Sequence, residues 1–323
     1  MLHPLLAGVL LVNSICVAIS VVKFLTLFIL SHRVIWSASF NNAYGRVANM
    51  EQFHQEVRKM KRIVFGNGKK NFVILPGLSV YSVMGMADVI AEAYKDFCEE
   101  YTVYVFDRAE NVHEGYTVRN MAGDIAAAMR ELNIKNADVF GASQGGMIAM
   151  YIAIDHPQMV NRLILGSTLA KPNGTFNHVI DEWVRLAKAK DEVGLLESFA
   201  DNVYSESTLK AYRETLISSN LGISDEGYRR FIILAEARKT FDCYGELSSI
   251  QCPVLVIGAE GDRVVTAEGP KQIAEALGCE SHIYDGSYGH GVYDEAADYR
   301  RRKSAGTRCF LQPCTEAIAR QLR

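Results

Sequence analysis

Apolar residues follow two different periods along the chain from about Arg62 onward. Short continuous apolar runs, such as "NFVIL", "TVYVF" and "ADVFGA", predict buried strands. Longer segments between them, such as "TVRNMAGDIAAAMRELNI", have apolar residues every three or four positions and predict amphipathic helices. Strands that are apolar on both faces and alternate with helices predict a parallel sheet covered by helices on each side.

Turn and cap residues divide this pattern into elements. The stretch "RIVFGNGKKNFVILPG" predicts a hairpin, with a short strand, a Gly-Asn-Gly turn and the buried strand Asn71–Leu75. Thr117 is a predicted N-cap, and Pro157 closes the helix that follows "ADVFGAS". Further strands are predicted at "VNRLILGST", "PVLVIGAEGD" and "SHIYDG", with the helix "AEGPKQIAEALG" between the last two.

The alternation breaks at about Leu169. Between Pro172 and Leu247 the chain has no strand runs, only helical periods such as "NHVIDEWVRLAKAK" and "DEGYRRFIILAEARKTF". The sheet pattern then resumes with "QCPVLVIGAEGD". The sequence therefore predicts a helical insertion in the middle of an α/β domain.

Composition and charge exclude several classes of protein. With 323 residues, 49% hydrophobic and 22% charged, the chain is typical of a globular protein with a sizeable core. A net charge of −3, without a Lys/Arg block interleaved with aromatic residues, gives no reason to expect a nucleic-acid partner. No Cys/His cluster has metal-ligand spacing, so neither a metal nor a cofactor is predicted. The scattered cysteines are expected to be free thiols in a reducing compartment. They are Cys16, Cys98, Cys243, Cys252, Cys279, Cys309 and Cys314.

The N-terminal segment has a different character. Residues 4–30 are apolar apart from Lys23 and a few small polar residues, which is long enough to cross a bilayer. Basic residues follow this segment rather than precede it, which favours a membrane anchor with a cytoplasmic catalytic domain over a signal peptide. The alternative is a soluble cytoplasmic protein in which residues 1–49 are absent from the mature product, since Met50 and Met60 stand just before the regular pattern.

The stretch "GASQG" contains the strongest candidate for a nucleophile. Ser143 lies between a predicted strand and a predicted helix, with Gly141 and Gly145 two residues away on either side. In that context G-x-S-x-G is typical of a nucleophile elbow, a turn so sharp that the flanking positions must lack side chains. The serine would then stand at a helix N-terminus above the carboxyl edge of the sheet.

A serine nucleophile needs a base and an orienting carboxylate, in the chain order Ser, acid, His. His290, in the loop "GSYGHGVY" after the last predicted strand, is the candidate base. Asp262 follows the strand "PVLVIGAEGD" and is the preferred acid, with Glu260 as the alternative. For the oxyanion, the backbone N–H groups of Gln144 and of Leu78 in "LPGLSV" are the candidates, with Ser79 ranked second.

The motifs that these residues form resemble those of the α/β-hydrolase superfamily, in its capped, single-domain branch. The similarity spans about Arg62 to Arg300 and rests on Gly-Ala-Ser143-Gln-Gly, the Pro-Gly-Leu loop, Asp262 and His290. It implies an eight-stranded, mostly parallel sheet with helices on both faces, a helical cap over the site, and hydrolysis through an acyl-enzyme without a cofactor. The chain departs from the pattern of the superfamily at two places. It has Pro76-Gly77 in place of the usual His-Gly, and its tail from residue 301 lacks the apolar helix that usually closes the domain.

The expected division of the chain follows from the pattern and the resemblance together. We expect a hydrophobic segment at 1–35, a linker at 36–61, an α/β-hydrolase core at 62–168 and 248–300, a helical cap at 169–247, and an atypical tail at 301–323. The sequence leaves the oligomeric state open.

The leading hypothesis for function is a serine hydrolase acting on a small ester or thioester. An aminopeptidase or acyltransferase with the same triad is the alternative, and a peptidase that binds an amine would need acidic residues on the inner face of the cap. The candidates for that role are Asp181, Glu182, Asp191 and Glu192. A non-catalytic ligand-binding protein on the same scaffold is the rival of another class.

Aromatic and apolar cap residues could line a substrate pocket or form the core of the cap itself: Trp183, Phe199, Tyr204, Tyr228, Phe231 and Ile232.

Overall fold

Seven strands form one mostly parallel sheet. The computed structural model describes residues 60–297 and 299. Its strands are β1 (Arg62–Phe65), β2 (Lys70–Leu75), β3 (Tyr101–Phe106), β4 (Ala137–Ala142), β5 (Val160–Gly166), β6 (Val254–Ala259) and β7 (Glu280–Tyr284). They lie in the order β1-β3-β2-β4-β5-β6-β7, in which β1 runs antiparallel to β3 and every other pair is parallel.

The predicted α/β class is confirmed, but the expected number of strands is wrong for the described residues. Eight strands were implied by the resemblance to the superfamily, whereas the described part of the chain forms seven. Each of the seven corresponds to one apolar run of the sequence from Arg62 onward. The hydrophobic pattern of this chain was therefore the better guide to the strand count.

The predicted hairpin between β1 and β2 is also wrong. Strand β1 pairs with β3, with Arg62 opposite Phe106, and β2 lies on the other side of β3. The connection passes over the start of β3, where the N–H of Asn67 donates to the carbonyl of Cys98 at 3.1 Å. A Cβ on Gly68 would lie 1.9 Å from the carbonyl carbon of Glu100. The Gly-Asn-Gly stretch thus permits a close backbone crossing, which local sequence cannot distinguish from a turn.

The helices mostly follow the predicted segments. They are α1 (Ala87–Ala93), α2 (Val118–Glu131), α3 (Gln144–Asp155), α4 (Gly174–Ala189), α5 (Glu192–Val203), α6 (Glu206–Ser218), α7 (Asp225–Glu236), α8 (Glu268–Leu277) and α9 (Val292–Glu295). Thr117 is confirmed as the N-cap of α2, and it forms a capping box with Asn120. Helix α1 is short, with 3₁₀ turns at Val83–Met86 and Lys95–Phe97 on either side.

The sheet is covered on both faces by apolar cores. On one face Val73 and Val139 pack with residues of α2 and α3, including Ile125. On the other face Phe72 and Phe140, their neighbours in sequence, pack with residues around α1. Successive side chains of a strand point to opposite faces, so a continuous apolar run is what a doubly covered strand requires.

Four helices, α4 to α7, lie between β5 and β6 and confirm the predicted helical insertion. Helix α4 contacts α5 and α7, and α5 contacts α6, so the helices pack on one another. Side chains from α4 and α5 line a cavity together with residues at the carboxyl ends of β2 and β4. The insertion therefore covers this edge of the sheet.

The predicted membrane anchor at residues 4–30 and the tail at 301–323 lie outside the described residues. Among residues 60–297 and 299, no helix combines the length and apolar character that crossing a membrane requires.

Candidate active site

Ser143 occupies the sharp turn between β4 and α3. Its backbone has φ 52° and ψ −121°, a conformation that an L-residue rarely adopts. Two hydrogen bonds hold the turn: the N–H of Ser143 donates to the carbonyl of Gly166, and the Thr168 hydroxyl donates to the carbonyl of Ser143, both at 2.8 Å. The strained conformation is therefore fixed by the end of the neighbouring strand β5.

The two glycines that flank the turn are needed for steric reasons. A Cβ on Gly141 would lie 2.4 Å from the carbonyl oxygen of Gly145. A Cβ on Gly145 would lie 1.9 Å from the carbonyl oxygen of Leu75, at the end of β2. Both distances are far below van der Waals contact, so a side chain at Gly141 would push β4 away from the start of α3, and one at Gly145 would push α3 away from the end of β2.

His290 and Asp262 form a buried pair after the last two strands. The Nδ1 atom of His290 lies 2.8 Å from Oδ2 of Asp262, and the two residues are 3% and 5% exposed. The other carboxylate oxygen accepts from the N–H groups of Val264 and Val265 at 2.8 and 2.9 Å. Both oxygens of Asp262 are thus engaged, and the imidazole is held with Nε2 free to face another group.

The alternative acid, Glu260, lies elsewhere. Its carboxylate pairs with the Lys271 ammonium at 2.7 Å, and about half of each side chain is exposed, 49% and 47%. A carboxylate engaged at the surface of α8 cannot also orient the buried imidazole. The geometry therefore places Asp262, and not Glu260, against His290.

Ser143 and His290 line the same cavity. Among the described residues, no direct hydrogen bond joins the Ser143 hydroxyl to the imidazole, while the bond from His290 to Asp262 is formed. Hydrogen bonds between a nucleophile and its base are often long in ligand-free sites and shorten when substrate binds. The structure thus brings the three candidate side chains to one edge of the sheet, with His290 and Asp262 already in contact.

The candidate oxyanion donors lie on both sides of Ser143. Gly77 is so near that a Cβ there would lie 3.4 Å from the Cβ of Ser143, and Leu78, Ser79 and Gln144 all line the cavity. Within the described part of the chain, neither the N–H of Leu78 nor that of Gln144 donates to a protein acceptor. The Ser79 hydroxyl instead accepts from the N–H of Tyr81 at 3.0 Å.

Arg108, which the sequence reasoning missed, contacts the two segments that carry the candidate oxyanion donors. Its Nη2 donates to the carbonyl of Pro76 at 2.6 Å, and its Nε and Nη2 lie 3.4 Å from the side-chain oxygen of Gln144. The amide nitrogen of Gln144 in turn donates to the carbonyl of Leu234 on α7 at 2.7 Å. Burial lowers the pKa of Arg108 to about 10, so the guanidinium remains charged at neutral pH. The sequence does contain a signal that could have identified Arg108, because the charged pair Asp107-Arg108 directly follows the buried strand β3.

The cavity above Ser143 is small and mostly apolar. Its volume is about 140 Å³. Of the aromatic and apolar cap residues considered from the sequence, Trp183, Phe199 and Tyr204 line the cavity. Tyr228 and Phe231 are buried without lining it, and belong to the apolar core instead.

The acidic cap residues do not face this cavity. Asp181 pairs with Arg238, Glu182 pairs with Arg185 at 2.7 Å, and Asp191 caps α5 by accepting from the N–H of Gly194. Glu192 accepts from backbone N–H groups of the loop between α6 and α7. Among the described residues, no group of three or more His, Cys, Asp and Glu side chains could hold a metal ion.

The chain matches a family model over most of the described region. The model, described as the alpha/beta hydrolase fold, covers residues 70–297. The chain belongs to the alpha/beta hydrolase fold family. The resemblance predicted from Ser143, Asp262 and His290 is thus confirmed at the level of the family.

Three related proteins illustrate the similarity. An AB hydrolase superfamily protein, YisY of Bacillus subtilis (strain 168), is 26% identical over 199 residues, which are 59% of this chain and 73% of that protein. The crystal structure of MGS-M2, an alpha/beta hydrolase enzyme from a Medee basin deep-sea metagenome library, has a TM-score of 0.68 at 20% identity, covering 77% of this chain and 96% of that one. The enol-lactonase from Burkholderia xenovorans LB400 has a TM-score of 0.62 at 19% identity, covering 74% and 92%. At these identities the two structures support the fold alone.

Proposed function

We propose that this α/β-hydrolase is a serine hydrolase that cleaves a small carboxylic ester or thioester through an acyl-enzyme. The observation that carries the proposal is that His290 lines the same cavity as Ser143 and is in buried contact with Asp262. A hydroxyl and an imidazole at one apolar cavity, with a carboxylate bonded to the imidazole, are the groups that acyl transfer requires.

In the proposed mechanism each group has one role. The Ser143 oxygen attacks the substrate carbonyl carbon while Nε2 of His290 takes the hydroxyl proton. Asp262 holds Nδ1 and stabilises the imidazolium, and the N–H groups of Leu78 and Gln144 donate to the oxyanion. His290 then protonates the departing alcohol or thiol, and a water molecule, deprotonated by the same imidazole, releases the acid and restores Ser143.

The cavity wall favours this reaction over the aminopeptidase alternative. A peptidase that binds a protonated amine needs an unpaired carboxylate near the nucleophile. Asp107 is the acidic residue that lines the cavity in the described structure, and it pairs with Arg230 at 3.2 Å. The acyltransferase alternative keeps the same acyl-enzyme and differs only in whether water or another nucleophile accepts the acyl group.

We also propose the division of the chain that the sequence predicted, with a core at 62–168 and 248–300 and a cap at 169–247. The helices α4 to α7, which fall inside the proposed cap, support it.

Labelling with a fluorophosphonate probe tests the proposed nucleophile. We expect an adduct on Ser143 and a loss of p-nitrophenyl butyrate hydrolysis of at least about 10³-fold in Ser143→Ala, because no other group replaces the attacking oxygen. Ser287→Ala, at an exposed loop position, is the control and should retain both labelling and activity. A wild-type protein that folds but gains no adduct at Ser143 would favour the non-catalytic binding protein instead.

A further inference from the structure

One buried guanidinium joins the two segments that carry the candidate oxyanion donors. Arg108 directly follows β3, is 6% exposed and lines the cavity that contains Ser143. Its Nη2 donates to the carbonyl of Pro76 at 2.6 Å, and its Nε and Nη2 lie 3.4 Å from the side-chain oxygen of Gln144. Pro76 precedes Leu78, the first candidate donor, and Gln144 is itself the second. The same side chain therefore reaches both sides of the proposed oxyanion hole.

The backbone around Leu78 needs an external contact to be well defined. Gly77 separates Pro76 from Leu78, and a residue without a Cβ has the widest choice of backbone angles. A hydrogen bond to the Pro76 carbonyl fixes the plane of the peptide that precedes Gly77, which removes part of this freedom. The same carbonyl lies against the start of α3, since a Cβ on Gly145 would be 2.6 Å from its oxygen. The two donor segments thus meet where Arg108 contacts them.

Arg108 is itself held in place through its backbone. Its N–H donates to the carboxylate of Asp107 at 2.7 Å, and its carbonyl accepts from Nη2 of Arg230 on α7 at 2.8 Å. The side chain of Gln144 also reaches α7, where its amide donates to the carbonyl of Leu234 at 2.7 Å. The guanidinium and one of its acceptors are therefore both anchored to the insertion, which a group that positions others requires.

The guanidinium holds its acceptors with charge-assisted hydrogen bonds. In the described structure the acceptors of the Arg108 side chain are the neutral oxygens of Pro76 and Gln144. Hydrogen bonds from a charged donor are about twice as strong as those between neutral groups. The Asp107 carboxylate pairs instead with Arg230 at 3.2 Å. Loss of the Arg108 charge would therefore leave no carboxylate without a cationic partner.

We infer that Arg108 is a positioning residue that fixes the N–H groups of Leu78 and Gln144 relative to one another, so that both point at the oxyanion. A preorganised pair of donors stabilises the transition state without moving during the reaction. Because the oxyanion forms only after attack by Ser143, this contribution belongs to kcat rather than to KM. The inference rests on the proposed function for the identity of the oxyanion.

Substitutions that change the donors of Arg108 test the inference. Arg108→Met keeps an unbranched chain and removes every donor. We expect kcat for p-nitrophenyl butyrate to fall by about 30- to 100-fold with KM changed by less than about threefold, since removal of a whole oxyanion donor costs about 10²- to 10³-fold. Arg108→Lys replaces the fork of donors by one ammonium, and kcat should fall by about five- to tenfold. An unchanged kcat in Arg108→Met overturns the inference. Should that variant fail to fold, Arg108→Lys decides in the same way.

Arg162→Met is the matched control for lost stability. Arg162 pairs with the buried Asp138 at 3.2 Å, and its side chain is 20% exposed. The pair lies near the amino ends of β4 and β5, whereas Ser143 follows the carboxyl end of β4. This variant should lower the midpoint of thermal unfolding and leave kcat within about twofold of the wild-type value. An equal loss of kcat in Arg162→Met and Arg108→Met would identify destabilisation as the cause and contradict the inference.

A pair of ketones distinguishes positioning of the donors from the shape of the cavity. 1,1,1-Trifluorohexan-2-one forms a tetrahedral adduct with a serine nucleophile, and the adduct places an oxyanion in the hole, whereas hexan-2-one binds as the ketone. Arg108→Met should raise the Ki of the trifluoroketone by about the factor by which it lowers kcat/KM, and should leave the Ki of hexan-2-one within about twofold. An equal rise for both ketones would show that Arg108 only shapes the cavity, and the inference would be wrong.

Crystal structures separate this inference from the proposed function. If the wild-type protein hydrolyses no ester and gains no fluorophosphonate adduct at Ser143, the proposed function fails, but the positions of the two donors are still measurable. In that case a shift of the backbone nitrogen of Leu78 or Gln144 by at least about 0.5 Å in Arg108→Met supports positioning, and unmoved nitrogen atoms overturn it. If the wild-type protein is active and Arg108→Met retains kcat, the inference fails while the proposed function stands.

Discussion

At the scale of single residues, Asp262 shows how a buried carboxylate is prepared for one role. Three donors converge on it: Nδ1 of His290 and the N–H groups of Val264 and Val265. The two backbone donors fix the plane of the carboxylate, which in turn fixes the imidazole. Glu260 is two residues away in sequence but pairs with Lys271 near the surface. A difference of two positions on a loop thus separates a candidate catalytic acid from a surface ion pair.

Replacement of Asp262 by asparagine tests this assignment. We expect kcat for p-nitrophenyl butyrate to fall by about 10³- to 10⁴-fold, because the amide favours the wrong imidazole tautomer and cannot stabilise the imidazolium. Glu260→Gln is the matched control, since it makes the same chemical change at the alternative acid, and should alter kcat by less than twofold. If Glu260→Gln abolishes turnover and Asp262→Asn does not, Glu260 is the catalytic acid and the assignment of Asp262 is wrong.

At the scale of elements, the order of the first three strands depends on one close backbone crossing. The chain leaves β1, passes the segment 98–101 and enters β2, so that β3 lies between two strands that are neighbours in sequence. Gly68 permits the crossing, because a Cβ there would overlap the backbone of Glu100. The strand order at the β1 edge of the sheet is therefore set by the absence of a side chain.

Alanine at position 68 should destabilise the protein. The Cβ would lie 1.9 Å from a backbone carbon, so either β3 or the connection must shift, at a cost of about 2–4 kcal/mol in the free energy of unfolding. Gly123→Ala is the control, because it lies within α2 with open space around its Cβ position and should raise the free energy of unfolding by about 0.5–1 kcal/mol. Urea denaturation measures both. Equal stability of the two variants would contradict the crossing.

At the scale of the whole molecule, Glu295 joins the insertion to the loop of the candidate base. Its Oε1 accepts from the N–H of Ser205, between α5 and α6, and its Oε2 accepts from the N–H of Gly289, both at 2.8 Å. The N–H of Gly291 also donates to the carbonyl of Val203 at 2.8 Å. The loop that carries His290 is thus tied to the insertion on both sides of the histidine.

Removal of the Glu295 carboxylate should loosen this junction. In Glu295→Ala the N–H groups of Ser205 and Gly289 lose their acceptors, and we expect their amide hydrogen exchange to accelerate by about tenfold. Glu275→Ala, on the exposed face of α8, should leave exchange at both amides unchanged. Mass spectrometry of peptides covering 200–210 and 285–293 measures the effect. Unaltered protection in Glu295→Ala would show that other contacts hold the junction.

The candidate site was predictable in its chemistry because its signals are local. Gly141, Ser143 and Gly145 lie within five consecutive residues, and Asp262 and His290 each follow a strand that the apolar pattern identifies. Arg108 was missed, since its importance comes from contacts with Pro76 and Gln144 that are more than thirty residues away.

The amino-acid sequence by itself determined the strands and most helices, the insertion and the sharp turn at Ser143, because each depends on residues that are neighbours along the chain. Only the tertiary structure decided that β1 pairs with β3, that Asp262 and not Glu260 meets His290, and which side chains of the insertion face the cavity. These outcomes depend on which backbone segments and side chains approach one another across the fold. Periodicity along one segment cannot encode that approach.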